Sequence, residues 1–142
     1  LVPGMIDRGW GRVMNIASLA ALVPAAPGHT LYAASKAFLV KFSESLAGEV
    51  QARGVHVPAV CPGFTYSEFH DVTGTRDQMR QMPRWMWQDA RAVVAEGYAA
   101  MMAGQVVVVT GRVNKAVAFG ARHFPALGRA GVARTAKSFR KL

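Results

Sequence analysis

Tyr32 and Lys36 stand four positions apart in Tyr32-Ala33-Ala34-Ser35-Lys36, and Ser18 lies fourteen positions before the tyrosine. On a helix, positions i and i+4 share a face, so the phenol and the ammonium can point into one site. A neighbouring ammonium favours the phenolate and lowers a tyrosine pKa from its ordinary value of about 10. The tyrosine then becomes usable as a proton donor and acceptor near neutral pH. Ser18 ends a short apolar stretch, and its hydroxyl can approach the same point. Each feature alone has an ordinary alternative: a surface Tyr–Lys pair on any helix, or a serine that simply ends a strand. The combination carries the weight.

The elements that must position these residues are legible from periodicity. Pro3 to Gly11 reads as the end of a helix and a turn, and Val13 to Ala17 as a buried parallel strand ending just before Ser18. Residues 19–30 form a loop rich in Ala, Pro and Gly. From Leu31 to Arg53 the period becomes helical, with Ala34, Phe38, Phe42 and Leu46 recurring at i+4. That stripe can serve a core or a partner, and the pattern does not assign it. Gly54 is a helix stop. His56 to Cys61 is the next strand, closed by Pro62-Gly63. Residues 64–87 read as irregular. Asp89 caps a helix running to Ala103, with Gly104 just past its end. Val106 to Val109 is a third strand, and beyond Gly111 a helical pattern is interrupted by Gly120, Pro125, Gly128 and Gly131. Strand and helix alternate, which predicts an α/β fold with a parallel sheet and helices on both faces. In such sheets ligands bind at the carboxyl ends of the strands, where Ser18 and Pro62-Gly63 fall.

Asn15-Ile16-Ala17-Ser18, Tyr32-x-x-x-Lys36, Pro62-Gly63 and Ser67-Glu68-Phe69, in that order, resemble the short-chain dehydrogenase/reductase family. The resemblance covers residues 1–111. It implies the C-terminal half of a Rossmann-type doubly wound parallel sheet, followed by a basic helical tail over residues 112–142. It also implies a cytoplasmic, bacterial oxidoreductase that moves hydride between a ketone or alcohol and NADP(H) or NAD(H), with NADP(H) favoured for a reductive role. In that reading Tyr32 is the general acid and base, and Lys36 holds the nicotinamide ribose. Ser18 bonds the substrate oxygen. Pro62, Gly63, Thr65 and Ser67 join Tyr32 and Lys36 around the cofactor. Ser67 stands where relatives usually carry threonine, and keeps the hydroxyl.

The family's glycine-rich cofactor turn, its N-A-G stretch and its catalytic asparagine do not occur in these residues. The expectation is therefore the C-terminal part of a longer protein, inactive as these residues alone, with an unpaired sheet edge at the first strand; the alternative is a non-catalytic interaction or peripheral membrane-associated module that keeps an inherited site. Full-length relatives also pair through the long helix, which implies a homo-oligomer. Within the family the chain resembles bacterial members with a basic C-terminal extension, among them 3-oxoacyl and steroid-type reductases. Met82, Trp85, Met86 and Trp87 cluster in the region that caps the substrate in relatives. Met82, Trp85 and Met86 are candidate contacts for a bulky apolar carbonyl or acyl substrate, and packing onto the domain accounts for them equally well. His29 and His70 read as solvent-facing, and Lys41 and Glu44 as part of a solvated helix face.

Composition narrows the class. A hydrophobic share of 51% is ordinary for a globular domain, and no run approaches the ~18–20 apolar residues of a membrane span. The single cysteine, Cys61, excludes an intrachain disulfide and reads as a buried thiol; no metal site is implied. Charge is segregated. All eight acids lie before Gly111, where they nearly balance nine basic residues, whereas residues 112–142 carry eight basic residues and no acid. The tail reads as a solvated segment or as a weak contact with anionic membrane surfaces. Nucleic acid is not implied, because no recognition fold accompanies the charge.

Overall fold

The computed structural model describes residues 1–25, 30–66, 83–124 and 126. After a short helix α1 (Val2–Asp7), the chain enters β1 (Gly11–Arg12) and β2 (Asn15–Ile16). A 3₁₀ turn (Leu19–Ala21) leads to the long helix α2 (Thr30–Val50), which tightens into a second 3₁₀ turn (Gln51–Arg53). Then come β3 (Val55–His56), β4 (Ala59–Cys61) and β5 (Phe64–Tyr66). A 3₁₀ turn (Arg84–Met86) precedes β6 (Trp87–Asp89), α3 (Ala90–Met102), β7 (Val107–Val109) and α4 (Arg112–His123).

The first strands form one ladder in two pieces. Gly11 and Arg12 lie opposite Val55 and His56, and Asn15 and Ile16 opposite Ala59 and Val60, all parallel and in one register. Between the pieces, Val13 N–H donates to His56 O at 3.0 Å and Asn15 N–H to Pro58 O at 2.9 Å. Pro58 has no N–H of its own, which is why the ladder is interrupted there. β4 also pairs with β7 in parallel, Val60 opposite Val108. The β3–β4 segment is thus the central strand, with β1–β2 on one edge among the described residues.

Side chains of the central strand alternate between two helical layers. Val55, Val57, Ala59 and Cys61 pack with Val40, Ala47 and Val50 of α2, whereas Val60 and Val108 pack with Val93 and Ala100 of α3. The period of two in a strand makes both faces apolar, which is the pattern of a sheet covered on both sides. The expected α/β sandwich is what the chain forms.

α2 buries Val40, Ser43, Ala47 and Val50. The i+4 stripe singled out in the sequence lies elsewhere. Phe38 and Phe42 are exposed, their rings stacked 6.0 Å apart, and only Leu46 of that stripe joins the core margin. The inward face runs at i, i+3 and i+7 through smaller residues, because a helix lying close on a sheet has little room for phenylalanine. Ser43, fully buried, accepts a hydrogen bond from Asn15 Nδ2 at 2.9 Å and ties α2 to β2. The helix stops where expected: Gly54 adopts φ 78°, a left-handed conformation open to glycine.

Two expectations need correction. Part of the stretch read as irregular forms strands: β5 and β6 pair in parallel, Phe64 opposite Trp87 and Tyr66 opposite Asp89. Trp87 stacks on Tyr66 at 4.7 Å, so cross-strand aromatics stabilise a pair too short to show a period. And α4 runs through Gly120 to His123 without interruption. Asp89 caps α3 as expected, its Oδ1 accepting from Arg91 N–H at 2.9 Å and Ala92 N–H at 3.2 Å.

Candidate active site

The carboxyl ends of β2 and β4 lie side by side, and the chain leaving each is fixed to the other. Ala17 N–H donates to Val60 O at 2.7 Å and Leu19 N–H to Pro62 O at 2.8 Å. Ser18 sits between these two bonds. It is buried, 8% exposed, in an extended conformation, and its Oγ accepts from Ala20 N–H at 3.2 Å to cap the 3₁₀ turn. That cap uses an acceptor position and leaves the hydroxyl proton as a donor.

The 3₁₀ turn packs against α2, whose first turns carry Tyr32 and Lys36. Both side chains are partly buried. Lys36 reaches back across the strand end, its Nζ donating to Ile16 O at 2.9 Å. It also lies 5.8 Å from the centre of the Tyr32 ring, so the two share a face, as their spacing requires. The backbone below the pair is held by Ser35 Oγ, which donates to Tyr32 O at 2.8 Å. Ser18, Tyr32 and Lys36 therefore belong to one neighbourhood at the end of β2, with Pro62 adjoining through Leu19.

Gly63 and Thr65 follow directly. Thr65 Oγ1 donates to Gly63 O at 3.2 Å, so its hydroxyl supports the turn. Trp85 is 67% exposed in the 3₁₀ turn before β6, with Met86 partly buried beside it. Ser67 and Met82 lie outside the described residues, as do His29 and His70. Lys41 pairs with Glu44 at 2.6 Å on the exposed side of α2, the solvated pair the sequence indicated.

Sequence reasoning missed a polar cluster beside this site. Thr110 is fully buried and Asn114 is 7% exposed, with Gln88 between them. A buried polar cluster at a helix start has no periodic signature; the polar residue three positions after Gly111 was the one available hint. Cys61, at the end of β4, is fully buried, and burial pushes its thiol up from 9.0 to about 11. It is an inert core thiol rather than a nucleophile. An open cleft of about 490 Å³ lies along β7 between Glu96, Ala99, Gln105 and Lys115, away from the Tyr32 neighbourhood.

The family model for short chain dehydrogenases matches residues 1–78, more than half of the chain. The chain belongs to the short chain dehydrogenase family. Among its relatives, the 3-oxoacyl-[acyl-carrier-protein] reductase FabG of Rickettsia typhi is 34% identical over 116 residues, which cover 75% of this chain and 48% of that protein. Nodulation protein G of Azospirillum brasilense is 39% identical over 79 residues, 56% of this chain and 31% of that protein. A short-chain dehydrogenase structure from Streptomyces avermitilis superposes with a TM-score of 0.66 at 27% identity, over 99% of this chain and 55% of that one. The chain thus spans half or less of the length of these curated relatives.

Proposed function

We propose that the protein is an NAD(P)-dependent oxidoreductase interconverting a ketone and an alcohol, with Tyr32, Lys36 and Ser18 as its reacting groups. The observation that carries this is the Lys36 contact with Ile16 O at 2.9 Å, which brings the ammonium, with Tyr32 on the same helix face, to the strand end next to Ser18.

The residues fit the nicotinamide end of such a cofactor. An ammonium has three donors; one goes to Ile16, and two remain for ribose hydroxyls. Gly63 offers backbone without a side chain beside Pro62, and Thr65 adds a hydroxyl; Ser67, outside the described residues, is the further hydroxyl that the family resemblance assigns to the cofactor. When bound, the nicotinamide supplies or accepts the hydride. Tyr32 gives its phenolic proton to the carbonyl oxygen as negative charge builds there, and takes a proton back in the oxidative direction. Ser18 donates a hydrogen bond to the same oxygen and stabilises its charge. Lys36 orients the ribose and supplies positive charge near the phenol. NADP(H) is the favoured form for a reductive role.

The exposed indole of Trp85, with the half-buried Met86 next to it in sequence, favours an apolar carbonyl or acyl substrate; Met82, outside the described residues, is proposed for the same role on sequence alone. The outward Phe38–Phe42 stack on α2 favours assembly of the full-length protein as a homo-oligomer. The deciding experiment is NAD(P)H oxidation by the protein expressed from its whole reading frame, against a panel of small and bulky ketones. Tyr32→Phe should reduce turnover at least a hundredfold, about the lower end of what a general acid contributes. Turnover unchanged in Tyr32→Phe would sink the assignment.

A second reading concerns the basic tail. α4 exposes Val117 and Phe119 among Arg112, Arg122 and His123, an arrangement suited to weak contact with anionic lipid. No helix among the described residues is long and apolar enough to cross a membrane. Salt-dependent sedimentation with anionic vesicles, lost on deleting residues 112–142, is the expected result; no binding at low salt removes the reading.

A further inference from the structure

We infer that Asn114, on the first turn of α4, is the positioning residue that holds the Pro62-Gly63 turn against the nicotinamide site; the inference rests on the function proposed above. A side chain at Gly63 would run directly into Asn114, whose Nδ2 and Cγ lie 2.6 Å and 2.7 Å from where the first carbon would stand. The space behind the turn is therefore filled by the asparagine amide. Glycine is needed here because Asn114 occupies the one direction that an L side chain would take from this Cα.

The amide is itself fixed by two partners. Asn114 Nδ2 donates to Thr110 O at 2.9 Å, where β7 ends. It lies 2.8 Å from the Gln88 side-chain amide on β6, which also approaches Thr110 Oγ1 at 3.1 Å. Gln88 lies opposite Thr65, the residue whose hydroxyl bonds Gly63 O. The helix that carries Asn114 is anchored as well. Glu96 of α3 accepts from Gly111 N–H at 2.9 Å and from Lys115 Nζ at 2.6 Å. One buried side chain thus joins the ends of β4 and β7 to the strand pair that follows Gly63.

The chemistry of the residue matters. Leucine fills similar space but leaves the Thr110 carbonyl without its Nδ2 partner. Aspartate places a charge against that same carbonyl. Asparagine offers a donor at the required point and remains neutral. A turn backed in this way cannot relax away from a bound ring, and a displacement of about 1 Å at a reacting centre can cost a hundredfold in rate.

The test uses the protein expressed from its whole reading frame, with NADPH and NADH affinity read by fluorescence and steady-state kinetics by absorbance. Asn114→Ala should weaken cofactor binding about ten- to a hundredfold while the KM for the ketone changes little. Asn114→Ser, which can still bond the carbonyl four residues back, should fall between it and wild type, and it keeps the test open if the alanine variant does not fold. Gly63→Ala should be severely impaired. Gly63→Ala/Asn114→Ala should recover part of that loss, because the new methyl then occupies the vacated space. Wild-type affinity in folded Asn114→Ala and Asn114→Ser, or a double variant no better than Gly63→Ala alone, overturns the role of Asn114 and leaves the proposed function standing. Absence of nicotinamide binding by the wild-type protein overturns both.

Discussion

Replacing Lys36 by methionine separates the two things its ammonium does. The stem stays nearly isosteric and keeps its packing, while the donor to Ile16 O at 2.9 Å and the charge 5.8 Å from the Tyr32 ring are lost. The stability cost is small. Ile16 is 46% exposed and the contact with its carbonyl is open to water, so water can replace the lost donor. A net hydrogen bond is worth about 0.5–1.5 kcal/mol, and one that water can replace falls at the lower end. The expected loss is therefore about 0.5 kcal/mol, a shift of a few degrees at most in the melting temperature for a domain of this size. The catalytic cost is of another order. If the ammonium both holds the ribose and supports proton transfer by Tyr32, kcat/KM should fall by about 10²–10⁴, equivalent to roughly 2.7–5.5 kcal/mol. The assay pairs NAD(P)H-linked ketone reduction by the full-length protein with thermal unfolding of the same samples. A large fall in kcat/KM with a near-unchanged melting temperature is expected. If instead Lys36→Met melts well below wild type yet keeps its activity within a few-fold, Lys36 is a strut between α2 and β2, and the reasoning fails.

Further outcomes follow from the same geometry. Trp85→Ala should raise the KM for bulky ketones far more than for small ones, since the 67% exposed indole contributes little to the core; equal effects on both would remove it from the substrate surface. The Cys61 thiol, raised to about 11, stays protonated in the folded state while the unfolded chain ionises from about pH 9. Stability should therefore fall as pH rises between these values, by at most about 2.7 kcal/mol, and then level off. Urea unfolding of wild type and Cys61→Ala across that range checks it: the two pH curves should diverge, and parallel curves count against burial of the thiol. The Glu96 carboxyl is held below its ordinary range, first by its bond from Lys115 and then by Gly111 N–H. Its contribution is present above the ordinary glutamate range and lost as pH falls through the lowered value. Because the pair is largely exposed, Lys115→Met should cost under about 1 kcal/mol near neutral pH, and the difference should vanish in acid. A difference that persists in acid would mean that Lys115 acts through packing.

Local rules were sufficient where the deciding interactions are local. The shared face of Tyr32 and Lys36 follows from the pitch of a helix, whatever lies around it. The Asp89 cap and the left-handed Gly54 depend on residues within one turn, and both lie where short-range chemistry puts them. The inner strands, residues 57–61 and Val107–Val109, were legible because a strand covered on both faces must be apolar throughout; the first strand was read as buried, yet it carries Arg12 and Asn15, and Ile16 is 46% exposed at the sheet edge. The parallel order followed from the alternation of strands with helices.

Tertiary structure decided what depends on distant neighbours. Two apolar stripes run along α2, and only the sheet beneath it selected Val40, Ala47 and Val50 over Phe38 and Phe42, because the smaller residues allow close approach. The β5–β6 pair joins segments about two dozen residues apart, and its cross-strand aromatics have no signature within either segment. Lys36 meets Ile16 across twenty residues of chain, and Asn114 stands behind Gly63 across about fifty, so neither contact is encoded in a spacing. The residue types that can do chemistry were determined by the sequence itself. The points at which their donors and acceptors arrive were set by packing, since only the folded chain brings the ends of β2, β4 and β7 together.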